Sequence, residues 1–100
     1  MKTVLLVDEN HLILDLLEKK IKKVLNVRVL KAKTYKEAAN YISEEKIIHI
    51  AILDLNLQDA KDGQIVDYAI SEDIPSVILT DMMDEKLQKI ILQKEIQNYP

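Results

Sequence analysis

Four short apolar runs, each followed by a stretch with helical spacing, constrain this chain more than any other feature. The runs are "TVLLV" (3–7), "VRVL" (27–30), "HIAIL" (49–53) and "SVILT" (76–80). Continuous rather than alternating apolar character is expected of a strand covered on both faces, the normal state of a parallel sheet. Between the runs the period changes. In "NHLILDLLEKKIKKVL", Ile13, Leu17, Ile21 and Val24 recur at helical spacing, and Leu12 and Leu16 add a second stripe that predicts cover on two sides. "TYKEAANYISEEK" opens with Thr34 and Glu37 in the capping-box pattern and puts Tyr35, Ala38, Ala39 and Ile42 on one face. "DGQIVDYAIS" groups Ile65, Val66, Ala69 and Ile70, with Asp62 as candidate N-cap. Pro75 breaks the chain before the fourth run, and "DEKLQKIILQKEI" predicts a fourth helix capped by Asp84, with Leu87, Ile90 and Ile91 facing inward. Strand–helix four times over predicts an α/β fold: a parallel sheet with helices on both faces.

The chain has 100 residues, which suits one domain over 1–100 with a single core. Its bulky apolar residues are almost all aliphatic, with no Phe or Trp and four Tyr, so the core is layered rather than an aromatic binding groove. Seventeen acids against fourteen bases leave no basic stripe, and direct nucleic-acid binding is not expected. Cysteine is absent, which excludes disulfides and thiolate metal sites. No apolar run approaches the length of a membrane span, and "MKTVLLVDEN" reaches acids too early for a signal peptide, so a cytoplasmic domain is expected.

The acids fall in a pattern. In an open parallel sheet all strand carboxyl ends share one edge, and ligands bind there. The first run leads into Asp8 and Glu9, the third into Asp54, and the fourth into Thr80 and Asp81. Converging carboxylates repel one another unless a cation sits among them. Hard oxygen donors, with no His or Cys at the strand ends, point to Mg²⁺.

These residues resemble the receiver domains of two-component response regulators. "VLLVDEN" is similar to the first strand and acidic pair of that family. "AILDLNL" is similar to the third strand ending in the phosphoacceptor, here Asp54, and "SVILT" to the fourth strand ending in the phosphoryl-binding hydroxyl residue, here Thr80. The resemblance covers essentially the whole chain. It implies a flavodoxin-like three-layer sandwich with strand order 2-1-3-4 and the fifth strand incomplete or absent. It also implies a signalling switch rather than a turnover enzyme: Asp54 takes a phosphoryl group from a sensor histidine kinase, or a small phosphodonor, to switch an output domain in a longer protein. In that scheme Glu9, Asp54 and the backbone carbonyl of Asn56 ligate Mg²⁺, Asp8 acts mainly through water, and Tyr99 stands where the family carries its switch aromatic. Met82, two residues past Thr80, offers no group to orient an attacking water, which implies slow self-dephosphorylation.

Three departures from the family pattern bear on this reading. Glu9 stands where Asp is commoner. The loop after Asp54 lacks the usual proline, with Gln58 in its place, and reaches Gly63 one residue late, so it is expected to be longer and less constrained. No lysine follows Tyr99, so the resemblance implies a receiver truncated before its fifth strand and helix, with apolar surface and an open sheet edge that invite a homodimer. An alternative is a pseudo-receiver, a protein-interaction module that is not phosphorylated. A phosphohydrolase of the haloacid dehalogenase type wants a second Asp where Asn56 stands. Asp59 is expected to be a solvated loop residue and His11 an exposed one. Tyr35 and Tyr41 read as packing residues, the cluster Lys19, Lys20, Lys22 and Lys23 as a solvated helix face, and His49 as a residue without a role.

Overall fold

The computed structural model describes residues 1–79. In chain order these form β1 (Lys2–Val7), α1 (His11–Val24), β2 (Val27–Ala32), α2 (Tyr35–Glu44), β3 (Ile50–Asp54), α3 (Gln64–Ser71) and β4 (Ser76–Leu79). All strand pairs are parallel and the order is β2-β1-β3-β4, as the resemblance implies. Thr80, Asp81, Met82, Tyr99, the fourth predicted helix and any fifth strand lie outside the described residues.

Alternation along the strands sends side chains to two layers. Leu5, Val7, Leu30, Ala32, Ala51 and Leu53 face α2 and α3 and form the larger core with Ala38, Ile42, Ile65 and Ala69. Val4 and Leu6 face the other way and pack with Leu14 of α1, flanked by Leu17, Ile21, Ile50 and Ile52. Tyr35 and Tyr41 pack against the larger core, as expected.

The inward face of α1 differs from the expected one. Leu14, Leu17 and Ile21 point to the sheet, whereas Val24 is 77% exposed, Leu12 66% and Leu16 44%. Two features explain the difference. The stripe begun by Leu12 and Leu16 runs on into Lys19, Lys20 and Lys23 and is not sustained. The flank beside β2 is polar, because Lys31 bonds Asp15 at 3.0 Å and Glu18 at 2.9 Å. In α3, Ile65 and Ala69 are buried and Val66 half-buried, but Ile70 is 61% exposed.

The N-cap of α3 is Gly63, in the left-handed region at φ 73°, not Asp62. Only glycine enters that region without strain, and a Cβ there would also stand 3.0 Å from Leu55 Cδ2. α2 begins as expected, with Thr34 Oγ1 accepting the Glu37 amide at 3.1 Å. α3 ends in a Schellman turn: the Ile74 amide bonds the Ala69 carbonyl and the Asp73 amide the Ile70 carbonyl, each at 2.9 Å, with Asp73 at φ 57°.

His49 precedes β3 yet has a structural role. Its amide donates to the Thr3 carbonyl at 2.9 Å and its Nδ1 accepts the Thr3 amide at 3.0 Å, so the imidazole completes the ladder where β3 begins.

Candidate functional site

Sheet register places the first two acids. Val7 lies between Ala32 of β2 and Leu53 of β3. Asp8 and Asp54 are the next residues on their strands, so both emerge at the carboxyl edge on neighbouring strands. Asp8 keeps its place in the ladder through its amide, which donates to the Ala32 carbonyl at 3.1 Å. Asp54 ends β3 opposite Leu79, and the following amide, of Leu55, reaches the Leu79 carbonyl at 3.3 Å.

Each carboxylate then organises the turn after it. Asp8 Oδ1 accepts the Asn10 amide at 2.8 Å, and Asn10 Oδ1 accepts the Leu12 amide at 3.0 Å, capping α1. Asp54 Oδ1 accepts the Asn56 amide at 2.9 Å. Asp8 and Asp54 are 5% and 8% exposed, and no other charged residue among those described is buried. Two carboxylates are thus held out of water on adjacent strands, where ionised groups are costly unless something positive compensates them.

The donor set fits a small hard cation. Mg²⁺ is commonly held by one or two carboxylates and completes its shell with water or phosphate oxygens, so a buried pair is a fitting base for it. Among the described residues no three acidic or histidine side chains stand together. Glu9 and Asn56 are both exposed, beside the buried pair in sequence rather than within it. His11 is exposed at the start of α1. Thr80, Met82 and Tyr99 fall outside the described residues.

The loop from 55 to 63 is more constrained than its length and missing proline suggest. Leu57 is fully buried in the larger core, and the Ala60 amide closes a turn onto its carbonyl at 3.1 Å. Asp59 is exposed, as expected, and also reaches α2: Oδ1 accepts the Tyr35 amide at 2.9 Å and Oδ2 the Lys36 amide at 3.1 Å. With Thr34 serving Glu37, the first three amides of α2 all have side-chain acceptors. Chiefly the Tyr35 amide, and then the Lys36 amide, hold the Asp59 carboxyl below the usual carboxylate range. Local sequence carries no signal for this contact, since donor and acceptor are 24 residues apart.

The expected basic cluster on α1 is exposed, and Lys22 pairs with Glu18 at 3.2 Å. A cleft of about 660 Å³ opens at the opposite, amino edge of the sheet, lined by residues such as Lys22, Val24, Leu25 and Arg28. It lies away from the buried acids and offers nothing to the chemistry considered at their edge. Among the described residues no helix is long and apolar enough to cross a membrane.

No protein-family model and no curated protein matches the chain. Solved structures do. The MaeR response regulator bound to beryllium trifluoride superposes with a TM-score of 0.71 at 14% identity, covering 92% of this chain and 77% of that one. The non-phosphorylated HemR receiver domain from Leptospira biflexa gives 0.70 at 23% identity, covering 95% and 74%. The bacteriophytochrome response regulator AtBRR gives 0.69 at 25% identity, covering 95% and 76%. Together with the 2-1-3-4 parallel sheet, these likenesses show that the fold of this chain is that of the response regulator receiver domains.

Proposed function

We propose that the chain is a phosphoacceptor receiver of a two-component response regulator, a switch rather than a turnover enzyme, working in the cytoplasm. The observation that carries this reading is the burial of Asp54 beside Asp8 at the carboxyl edge of a receiver-type sheet. One relative of that fold, MaeR, is known bound to beryllium trifluoride. Asp54 attacks the phosphorus of a phosphohistidine on a sensor histidine kinase. An acyl phosphate O–P bond forms, the P–N bond breaks, and its electron pair stays on the departing imidazole nitrogen, which takes up a proton. Two anions meet in this step, and Mg²⁺ supplies the neutralising charge when bound. Asp8, Glu9, Asp54 and the Asn56 carbonyl are the residues to hold it.

Around the nucleophile, this chain's residues act through position. The Asn56 amide fixes one oxygen of Asp54, so the carboxylate is oriented before any donor arrives. Burial keeps bulk water from competing for the acyl phosphate. Thr80 binds the phosphoryl oxygens and Tyr99 follows its movement toward an output domain. A homodimer through β4 belongs to the same proposal: Val77 and Ile78 are each 43% exposed, and a monomeric sedimentation profile at high concentration contradicts it.

A pseudo-receiver is favoured by one observation, that Glu9 is exposed and no three carboxylates stand together among the described residues. Intact-mass spectrometry after incubation with Mg²⁺ and acetyl phosphate separates the two readings. A phosphoryl adduct on the native chain and none on Asp54→Asn is expected. An unmodified native chain assigns it to the pseudo-receivers.

A further inference from the structure

We infer that Asp59 is a positioning residue, which ties the loop after Asp54 to the first amides of α2 and thereby holds the Asn56 carbonyl in place for a divalent cation. The inference rests on the proposed function and names a residue which that reading does not use. Its basis is the sequence of anchors along the loop. At one end Asp54 Oδ1 takes the Asn56 amide at 2.9 Å, and at the other Asp59 takes the Tyr35 and Lys36 amides at 2.9 and 3.1 Å. Between them Leu57 is sunk in the core and bonded across its turn to Ala60. Between the anchored nucleophile and the anchored turn lie only half-buried Leu55 and exposed Asn56, so the placement of the Asn56 carbonyl is set by the anchors on either side.

The bonds from Asp59 are bidentate and lead to the rigid end of a helix rather than to side chains. A carboxylate facing two helix N-terminal amides is charge-assisted and favoured by the helix dipole. The proline usual in such a loop is replaced here by Gln58, so the stiffness a pyrrolidine ring would give the backbone comes instead from the next residue's carboxylate. The same carboxylate serves two ends: it caps α2, and it prevents residues 55–60 from sliding relative to the strand end that carries Asp54.

The test must separate positioning from simple stabilisation of α2. Thr34→Ala removes the acceptor of the Glu37 amide at the same helix end without touching the loop, and is the control. Mg²⁺ is titrated into the wild-type protein, Asp59→Asn, Asp59→Ala and Thr34→Ala, and followed by backbone amide NMR shifts. Removing a group that orients a metal ligand typically lowers affinity by about 10-fold or more. Asp59→Ala is expected to weaken Mg²⁺ binding roughly tenfold, Asp59→Asn, which keeps one carbonyl acceptor, to weaken it less, and Thr34→Ala to leave it unchanged. If Asp59→Ala does not fold, the comparison of Asp59→Asn with Thr34→Ala decides. Equal affinities across wild type and the Asp59 variants overturn the inference, as does an equal loss in Thr34→Ala. A wild-type protein that itself shows no Mg²⁺ shifts overturns the proposed function and this inference with it, and is distinguished by the silence of the unmutated chain.

Discussion

At the residue scale, a few side chains are specific in their burial and bonding. Leu57 is the loop's anchor in the core, and Leu57→Ala should cost about 2–5 kcal/mol, as large-to-small changes at buried positions do. Chemical denaturation measures it, and a change below about 1 kcal/mol would mean that the loop is not held by the core. Gly63 is required by conformation: Gly63→Ala should lose about 1–2 kcal/mol for the left-handed backbone, with the approach to Leu55 adding to the cost. The acids at the strand ends were legible in the sequence because their positions follow from where the apolar runs stop. Asp59 and His49 were not. Asp59 looks like any loop acid until α2 is brought beside it, and the His49 imidazole bonds a backbone amide 46 residues away.

At the scale of elements, the four strands and the first three helices were legible from period alone, and ends and faces were less so. The sheet gains Ala32 and Asp54 because the ladder continues where the apolar run has ended. α1 turns Leu14 inward with Leu17 and Ile21 and leaves Leu12 and Leu16 exposed, while Lys31 of β2 pairs with Asp15 and Glu18 on its flank. The C-terminus of α3 offers a clean test. Asp73 occupies the left-handed position of a Schellman turn, where glycine is the unstrained choice, so Asp73→Gly should raise stability by up to about 1 kcal/mol. A lower melting temperature for that variant would contradict the turn.

Charge also ties elements together, and its pH dependence has a definite sign. The hydrogen bonds from Lys31 depress the carboxyls of Asp15 and Glu18, with Lys22 adding to the effect on Glu18, and the α2 amides depress Asp59. A carboxyl held below its ordinary value contributes stability that is complete above that value and is lost as pH falls through the lowered one. Thermal stability should therefore decline as pH drops below about 4. Lys31 is raised by Glu18 first and then Asp15, so its share fades only at the alkaline end, as pH climbs through its raised value. Salt separates the contributions. The exposed pairs of Lys31 are screened, whereas the short bonds of Asp59 to backbone amides persist. Melting curves across pH at low and high salt check this, and an acid-side decline that vanishes in Asp59→Asn at high salt is the expected result.

At the scale of the whole molecule, a receiver-type sheet brings two buried carboxylates to one edge, and the proposed chemistry asks one of them to become an acyl phosphate. The position of Asp54 follows from where the third apolar run stops, whereas the strand order was implied by the resemblance and not by the alternation of elements. The partner that loads Asp54 follows from neither, because recognition by a kinase depends on surface detail that apolar periodicity does not encode. The most direct measurement is to locate the phosphoryl group. After loading with acetyl phosphate and Mg²⁺, borohydride reduction converts an aspartyl phosphate to homoserine, and peptide mass mapping finds its position. Homoserine at position 54 alone is the predicted result. Homoserine at Asp8 or at another aspartate, or none at all, would contradict the assignment of Asp54 as phosphoacceptor.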